Sequence, residues 1–347
     1  MAKIKVGVIG CGGIAANHCE KALSKIEDVE LRAFCDVQFE KAKKMASRFH
    51  GKAYRDHHEM LEKEKLDAVW ICIPPFAHTD QELLCVEKGI PFFVEKPVAL
   101  SIKTAREVND SVKKRGLLTQ VGYVMRFNKP LIEVRRIVKE EGGPIGLISA
   151  ERFNWWVGAG FTKRWLVDAT KSGGVLVENI THQVDAMRWI AGDVKRVYAR
   201  FDKRLWDPVK ESHFTIEDAC VVALEFESGA IGSIVGAARA HNWRMTFTII
   251  AKNLQVETTP EGYLITRRKD GSVERTVIGV TRGWGGNAMY EEDLHFINSI
   301  KRGELIRNDV ADYEEGMKTL EATLAAVLSA ETNKPIDLPL KQEIILK

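Results

Sequence analysis

Long apolar runs are missing from this sequence. No stretch approaches the ~18 consecutive apolar residues that a bilayer-crossing helix needs, so no membrane role is expected. The opening MAKIKVGVIGCGGIAANH places basic residues ahead of an apolar stretch, but four glycines interrupt it and Asn17 and His18 follow, so no secretory leader is expected. Paired cysteines are missing too. Cys11, Cys19, Cys35, Cys72, Cys85 and Cys220 form no CxxC motif and sit mostly among apolar residues. This argues against a disulfide framework and against a zinc site; no metal centre is expected, and the setting is expected to be the cytoplasm. Charge of one sign is also lacking. Lys+Arg 51 and Asp+Glu 48 nearly cancel, without long blocks, so nothing marks a nucleic-acid surface and a small molecule is the expected partner.

What is present suffices for two domains. At 347 residues, 45% of them hydrophobic, the chain exceeds one ordinary core. Its first third alternates short apolar runs with amphipathic segments, the pattern of strand-helix-strand units. Strands are expected at Ile4 to Ile9, Val29 to Asp36, Asp67 to Ile73, Pro91 to Glu95 and Leu117 to Val121. The segments TDQELLCVEKG and SIKTAREVNDSVKKRG end on glycines placed as helix C-terminal caps. A doubly wound α/β domain is therefore expected over residues 1–122. From 123 to 347 the texture shifts to β-branched and aromatic runs such as IGLISAERFNWW and WRMTFTIIA, punctuated at hairpin spacing. That half is expected to be an α+β domain with a large, mostly antiparallel sheet, for substrate binding and oligomerisation. Helices are expected at GGVLVENITHQVDAMRWIAG and around Glu314 to Glu331.

Directly after the first strand, Gly10-x-Gly12-x-x-Ala15 has the form of the dinucleotide fingerprint of a Rossmann domain. Gly10 permits the tight turn, Gly12 lets the backbone approach a pyrophosphate, Gly13 and Ile14 open the helix, and Ala15 allows close packing. The second strand ends on Asp36, an acid placed about 20 residues beyond the loop to bind ribose hydroxyls and repel a 2′-phosphate. NAD is expected in preference to NADP, although Lys41, Lys43 and Lys44 follow close behind.

The stretches CIPPFAH, KGIPFFVEKPVAL, GYVMRFNKP and GGVLVENITHQVD, in this order after the glycine loop, resemble the glucose-fructose oxidoreductase, inositol dehydrogenase and MocA family over nearly the whole chain. The resemblance implies that Lys96 lies at the nicotinamide end of the cofactor, with Glu95 orienting its amine or contacting the ribose, and that Ile73, Pro74 and His78 line the cofactor. A strand's carboxyl end does face the ligand crevice in an open α/β sheet. The resemblance also sets Glu178 and His182 beside the substrate, and Tyr123, Met125 and Arg126 in the interdomain cleft, where a domain-bridging ion pair is the alternative for Arg126. One departure stands out: relatives usually have Asp and a nearby glycine where this chain has Glu178 and Ile180.

By helical period alone, Glu178, His182 and Asp185 share one face, with Leu176, Ile180, Val184 and Met187 opposite, a pattern that an ordinary solvated surface helix also shows. Asp185 is expected to be structural. Trp155, Trp156 and Trp165 flank a glycine-rich loop and either wall a sugar pocket or fill the core. The expected activity is NAD-dependent interconversion of a secondary alcohol and a ketone on a sugar, sugar derivative or cyclitol, with Lys96, His182 and Glu178 catalytic. Redox-neutral epimerisation or glycoside cleavage, and a silent NAD-binding regulator, are the rivals. A homodimer or homotetramer is expected.

Overall fold

The structure is a computed structural model and describes residues 3–155, 164–207, 209–259, 262–270, 272–279, 287–307, 309–341 and 343–344. Its α-helices, in chain order, are α1 (Gly13–Lys21), α2 (Phe39–Phe49), α3 (His57–Lys63), α4 (Gln81–Lys88), α5 (Ile102–Arg115), α6 (Lys129–Glu141), α7 (Ala169–Ser172), α8 (Thr181–Ala191), α9 (Ala288–Arg302) and α10 (Tyr313–Thr332). The chain divides into two compact units. The first comprises Met1–Ala99, Lys103–Phe127 and Asn287–Met317; the second holds the remainder.

The first unit contains a six-stranded parallel sheet ordered β3-β2-β1-β4-β5-β6, built from β1 (Ile4–Ile9), β2 (Val29–Cys35), β3 (Lys52–Tyr54), β4 (Ala68–Ile71), β5 (Phe92–Val94) and β6 (Thr119–Val121). This is the doubly wound arrangement expected from the strand-helix alternation. Every residue of β4, β5 and β6 is buried, as parallel strands covered on both faces must be. The short edge strand β3 carries no periodic signal and was not among the expected strands. The unit also recruits a distant piece of chain: Phe296 and Ile297 of α9 join the apolar cluster of Val6, Val8, Ala15 and Trp70. The boundary drawn after residue 122 therefore falls instead near 127, and 287–317 rejoins the N-terminal unit because α9 buries its apolar face there.

The second unit holds a nine-stranded sheet ordered β14-β13-β12-β11-β7-β10-β9-β8-β15. Its strands are β7 (Ile145–Trp155), β8 (Val194–Asp202), β9 (Ala219–Phe226), β10 (Ile231–Ala237), β11 (Arg239–Ala251), β12 (Leu254–Thr259), β13 (Gly262–Lys269), β14 (Ser272–Gly279) and β15 (Ile336–Asp337). Only β7 and β10 pair in parallel; the other neighbours are antiparallel. In β9 burial alternates residue by residue, so one face is covered and the other exposed. Close packing governs the covered face: a Cβ at Gly236 would lie 2.2 Å from Ile180, and one at Gly232 2.9 Å from Met187.

Candidate active site

Gly10 ends β1 at φ +87, and a Cβ there would stand 2.4 Å from the Cys72 carbonyl oxygen, so the turn requires glycine. At Gly12 and Gly13 the opposite holds. A Cβ at either would meet no atom within 4 Å, leaving open space over the start of α1. That helix has no side-chain cap and no acidic residue in its first turn, so its N–H groups and dipole are directed at that space. Ile14, in the same turn, is 36% exposed. Asp36 stands beside the loop: its Oδ2 accepts the Cys11 N–H at 2.8 Å and its Oδ1 the Gln38 N–H at 2.7 Å. Each oxygen keeps a second lone pair for a hydroxyl donor. The open cradle and the adjacent carboxylate fit a dinucleotide.

Ile73 and Pro74 follow β4 half-buried, leading into the 3-10 turn Pro75–Ala77. The His78 ring turns toward α4, its Nδ1 2.5 Å from the buried Glu82 carboxylate. Glu95 and Lys96 leave the end of β5, and the Lys96-Pro97 peptide is cis. Glu95 is buried, with Oε1 2.9 Å from His18 Nε2 and Oε2 accepting the Lys96 N–H at 3.2 Å. Gly122 packs beneath it, where a Cβ would sit 2.8 Å from Oε1.

Tyr123 and Met125 are buried. Arg126 is 2% exposed, pairs with Glu315 at 3.0 Å and donates to the Asp309 carbonyl at 3.2 Å, all within the first unit. Its guanidinium is thus engaged in an ion pair inside one unit, not in the domain-bridging pair that was the alternative to substrate binding.

In the second unit the expected single α-helix is not uniform. Leu176–Ile180 forms a π-helical turn, with α8 following at Thr181. Glu178 therefore lies within a wider turn than the α-period assumes, with His182 just beyond it, a device that recurs at functional sites. Nor is the polar face solvated: His182 is 7% and Asp185 0% exposed, because the helix is covered on all sides. Asp185 accepts a hydrogen bond from Thr319, which in turn accepts one from Arg188, in keeping with a structural role. The π turn is held at its start by the buried Glu217, whose Oε1 accepts the Leu176 N–H at 2.7 Å and whose carboxyl pKa burial raises. Trp165 is half-buried in the turn Arg164–Val167; Trp155 closes β7, and Trp156 lies outside the described residues.

Sequence reasoning overlooked a polar group beside Glu178. Arg152 and Asn154, two apart on one face of β7, both donate to Asn179 Oδ1, at 3.3 and 3.1 Å. Burial lowers the Arg152 pKa to about 10, and its guanidinium lies 5.4 Å from the Trp243 ring centre. The i, i+2 spacing of Arg152 and Asn154, which puts both on one face of the strand, was the available signal. His18 and Asp293, partners around Glu95, were also overlooked; nothing local links them.

The parallel sheet, open glycine cradle and carboxylate at the end of β2 define a nucleotide-dependent oxidoreductase class. Residues 4–123 match a family model described as "Oxidoreductase family, NAD-binding Rossmann fold", and 132–256 match the "GFO/IDH/MocA C-terminal domain". The chain belongs to the Gfo/Idh/MocA oxidoreductase family, and its first unit is an NAD-binding Rossmann domain. A myo-inositol 2-dehydrogenase of Thermotoga maritima is 29% identical, covering 96% of this chain and 98% of that one. A scyllo-inositol 2-dehydrogenase (NAD(+)) of Bacillus subtilis is 24% identical over 98% of each. The crystal structure of myo-inositol 2-dehydrogenase from Lactobacillus plantarum shares the fold at a TM-score of 0.80, with 22% identity over 96% of this chain and 99% of that one. Among the described residues, no helix is long and apolar enough to cross a membrane.

Proposed function

We propose that the chain is an NAD-dependent dehydrogenase that oxidises one secondary CH–OH group of an inositol, or of a related cyclitol or sugar, to the ketone. The observation that carries this reading is the open glycine cradle with Asp36 beside it, in a chain that retains Lys96 and His182 and aligns end to end with inositol dehydrogenases. Asp36 selects NAD, since a 2′-phosphate would meet a like charge while ribose hydroxyls find free lone pairs.

Bound NAD supplies the hydride acceptor. The chain's own residues manage the proton and the charge: His182 is the base for the hydroxyl proton, and Lys96 is the donor that stabilises negative charge developing on oxygen as the carbinol C–H bond breaks. Glu178, one turn earlier, is assigned to orient His182. Arg152, Asn154 and Asn179 supply donors and acceptors suited to ring hydroxyls. The six cysteines are free and buried, which suits a reducing compartment such as the cytoplasm. The exposed face of the second sheet supports a homodimer or homotetramer.

A panel of inositols, cyclitols and sugars offered with NAD tests the reading. Net NADH is expected with at least one of them. Lys96→Ala and His182→Ala should each lower turnover by roughly 100-fold while leaving NAD affinity intact. Wild-type turnover in Lys96→Ala would refute the role given to that amine.

A further inference from the structure

His18 is 1% exposed and sits on α1, behind the glycine loop. Its Nε2 lies 2.9 Å from Glu95 Oε1, and its Nδ1 lies 2.9 and 3.0 Å from the two oxygens of Asp293, a fully buried residue of α9. Trp70 Nε1 donates to the same Asp293 carboxylate at 3.0 Å. Both ring nitrogens thus face carboxylates. A neutral imidazole has one N–H and would set a lone pair against the second carboxylate, so the ring between them carries two protons. Burial by itself would lower the His18 pKa, but Asp293 and then Glu95 outweigh it and hold the pKa well above the usual imidazole range. Glu95 is confined on its other side by Gly122, and its free oxygen takes the Lys96 N–H.

We infer that His18 is a positioning residue for Lys96: it pins the Glu95 carboxylate beneath the Lys96 backbone and thereby aims the amine that Lys96 presents beyond β5. The inference rests on the catalytic reading of Lys96 given above. Removing the imidazolium leaves a buried carboxylate short of its cation, a state strongly disfavoured in a protein interior. Glu95 then turns toward solvent and carries the Lys96-Pro97 segment with it. The competing account is that His18 only staples α1 to α9 through Asp293.

Two substitutions separate these accounts, because the amide of Asn falls near Nδ1 and that of Gln near Nε2. His18→Asn retains a donor to Asp293 and loses the one to Glu95; His18→Gln does the reverse. His18→Asn should lower kcat roughly 10- to 100-fold, the scale of a displacement of about 1 Å at a reacting group, with NAD affinity unchanged. His18→Gln should recover a larger share of turnover, and in a Lys96→Ala background neither substitution should lower kcat further. A Gln variant as impaired as the Asn variant, or losses that multiply with Lys96→Ala, overturns the inference. Amide hydrogen exchange across residues 94–98 supplies a readout independent of activity. If Lys96→Ala itself retains full turnover, the catalytic reading of Lys96 fails, and exchange alone judges the anchor: faster exchange in His18→Asn but not in His18→Gln supports it, and equal exchange in both overturns it.

Discussion

Asp36 is the residue whose placement was most fully legible in the sequence, because an acid at a strand end and a set distance from a glycine loop is carried by the fold to the side of that loop. The structure adds that its carboxylate accepts the Cys11 N–H and so helps to shape the loop. Asp36→Ala should weaken NAD binding while improving NADP relative to NAD, which fluorescence titration with both dinucleotides measures. Undiminished preference for NAD would place selectivity elsewhere. While its role rests on the family resemblance, the position of Lys96 just beyond an apolar strand was legible too. The partners of Glu95 were not. His18 is 77 residues away from it and Asp293 lies 275 residues beyond His18, so only the folded sheet and α9 bring the three together.

At the scale of elements, most strands and helices of the first third follow from apolar periodicity, whereas the edge strand β3 and two later features escaped it. One is the π turn at Leu176–Ile180, which depends on Glu217 and Gly174 rather than on the local pattern. Gly174 has φ +93, and a Cβ there would lie 2.4 Å from Glu217 Oε2. Gly174→Ala should therefore cost more than about 1 kcal/mol, visible as a lower urea midpoint, and should reduce turnover by shifting Glu178. An unchanged midpoint would contradict this account of the turn. The other feature is α9, whose return to the first unit has no local signature. Its His295 is buried, with Nδ1 2.7 Å from Gln120 Oε1, and burial lowers its pKa to about 4. Below the unfolded value of about 6.5 the unfolded chain takes a proton at this site that the folded chain refuses, so stability falls with pH down to about 4. The slope from this group is at most about 1.4 kcal/mol per pH unit. His295→Asn, which keeps the donor to Gln120, should lose less stability than wild type over that window; identical acid profiles by thermal denaturation would show that His295 is not the group responsible.

Across the whole molecule, the division into a parallel and a mostly antiparallel sheet was legible from texture, but strand adjacency was not. That β10 lies between β7 and β9, parallel to the first, follows from long-range pairing alone. This order sets Leu147 beside both Ile231 and Ile250, all three exposed, with Val221 and Tyr198 exposed on neighbouring strands. Exposed apolar residues gathered on one sheet face are what the proposed homo-oligomer would bury. Light scattering should report a mass of two or four chains, and Ile231→Glu should shift it toward one; a wild-type mass of 39.0 kDa would contradict the assembly. The central claim, hydride transfer from a polyol carbon to NAD, is tested most directly by incubating the protein with NAD and ring-deuterated inositols and weighing the dinucleotide by mass spectrometry. The account predicts deuterium in the NADH formed, and its appearance roughly 100-fold more slowly in Lys96→Ala. Binding of NAD without labelled NADH from any inositol, cyclitol or sugar offered would contradict it.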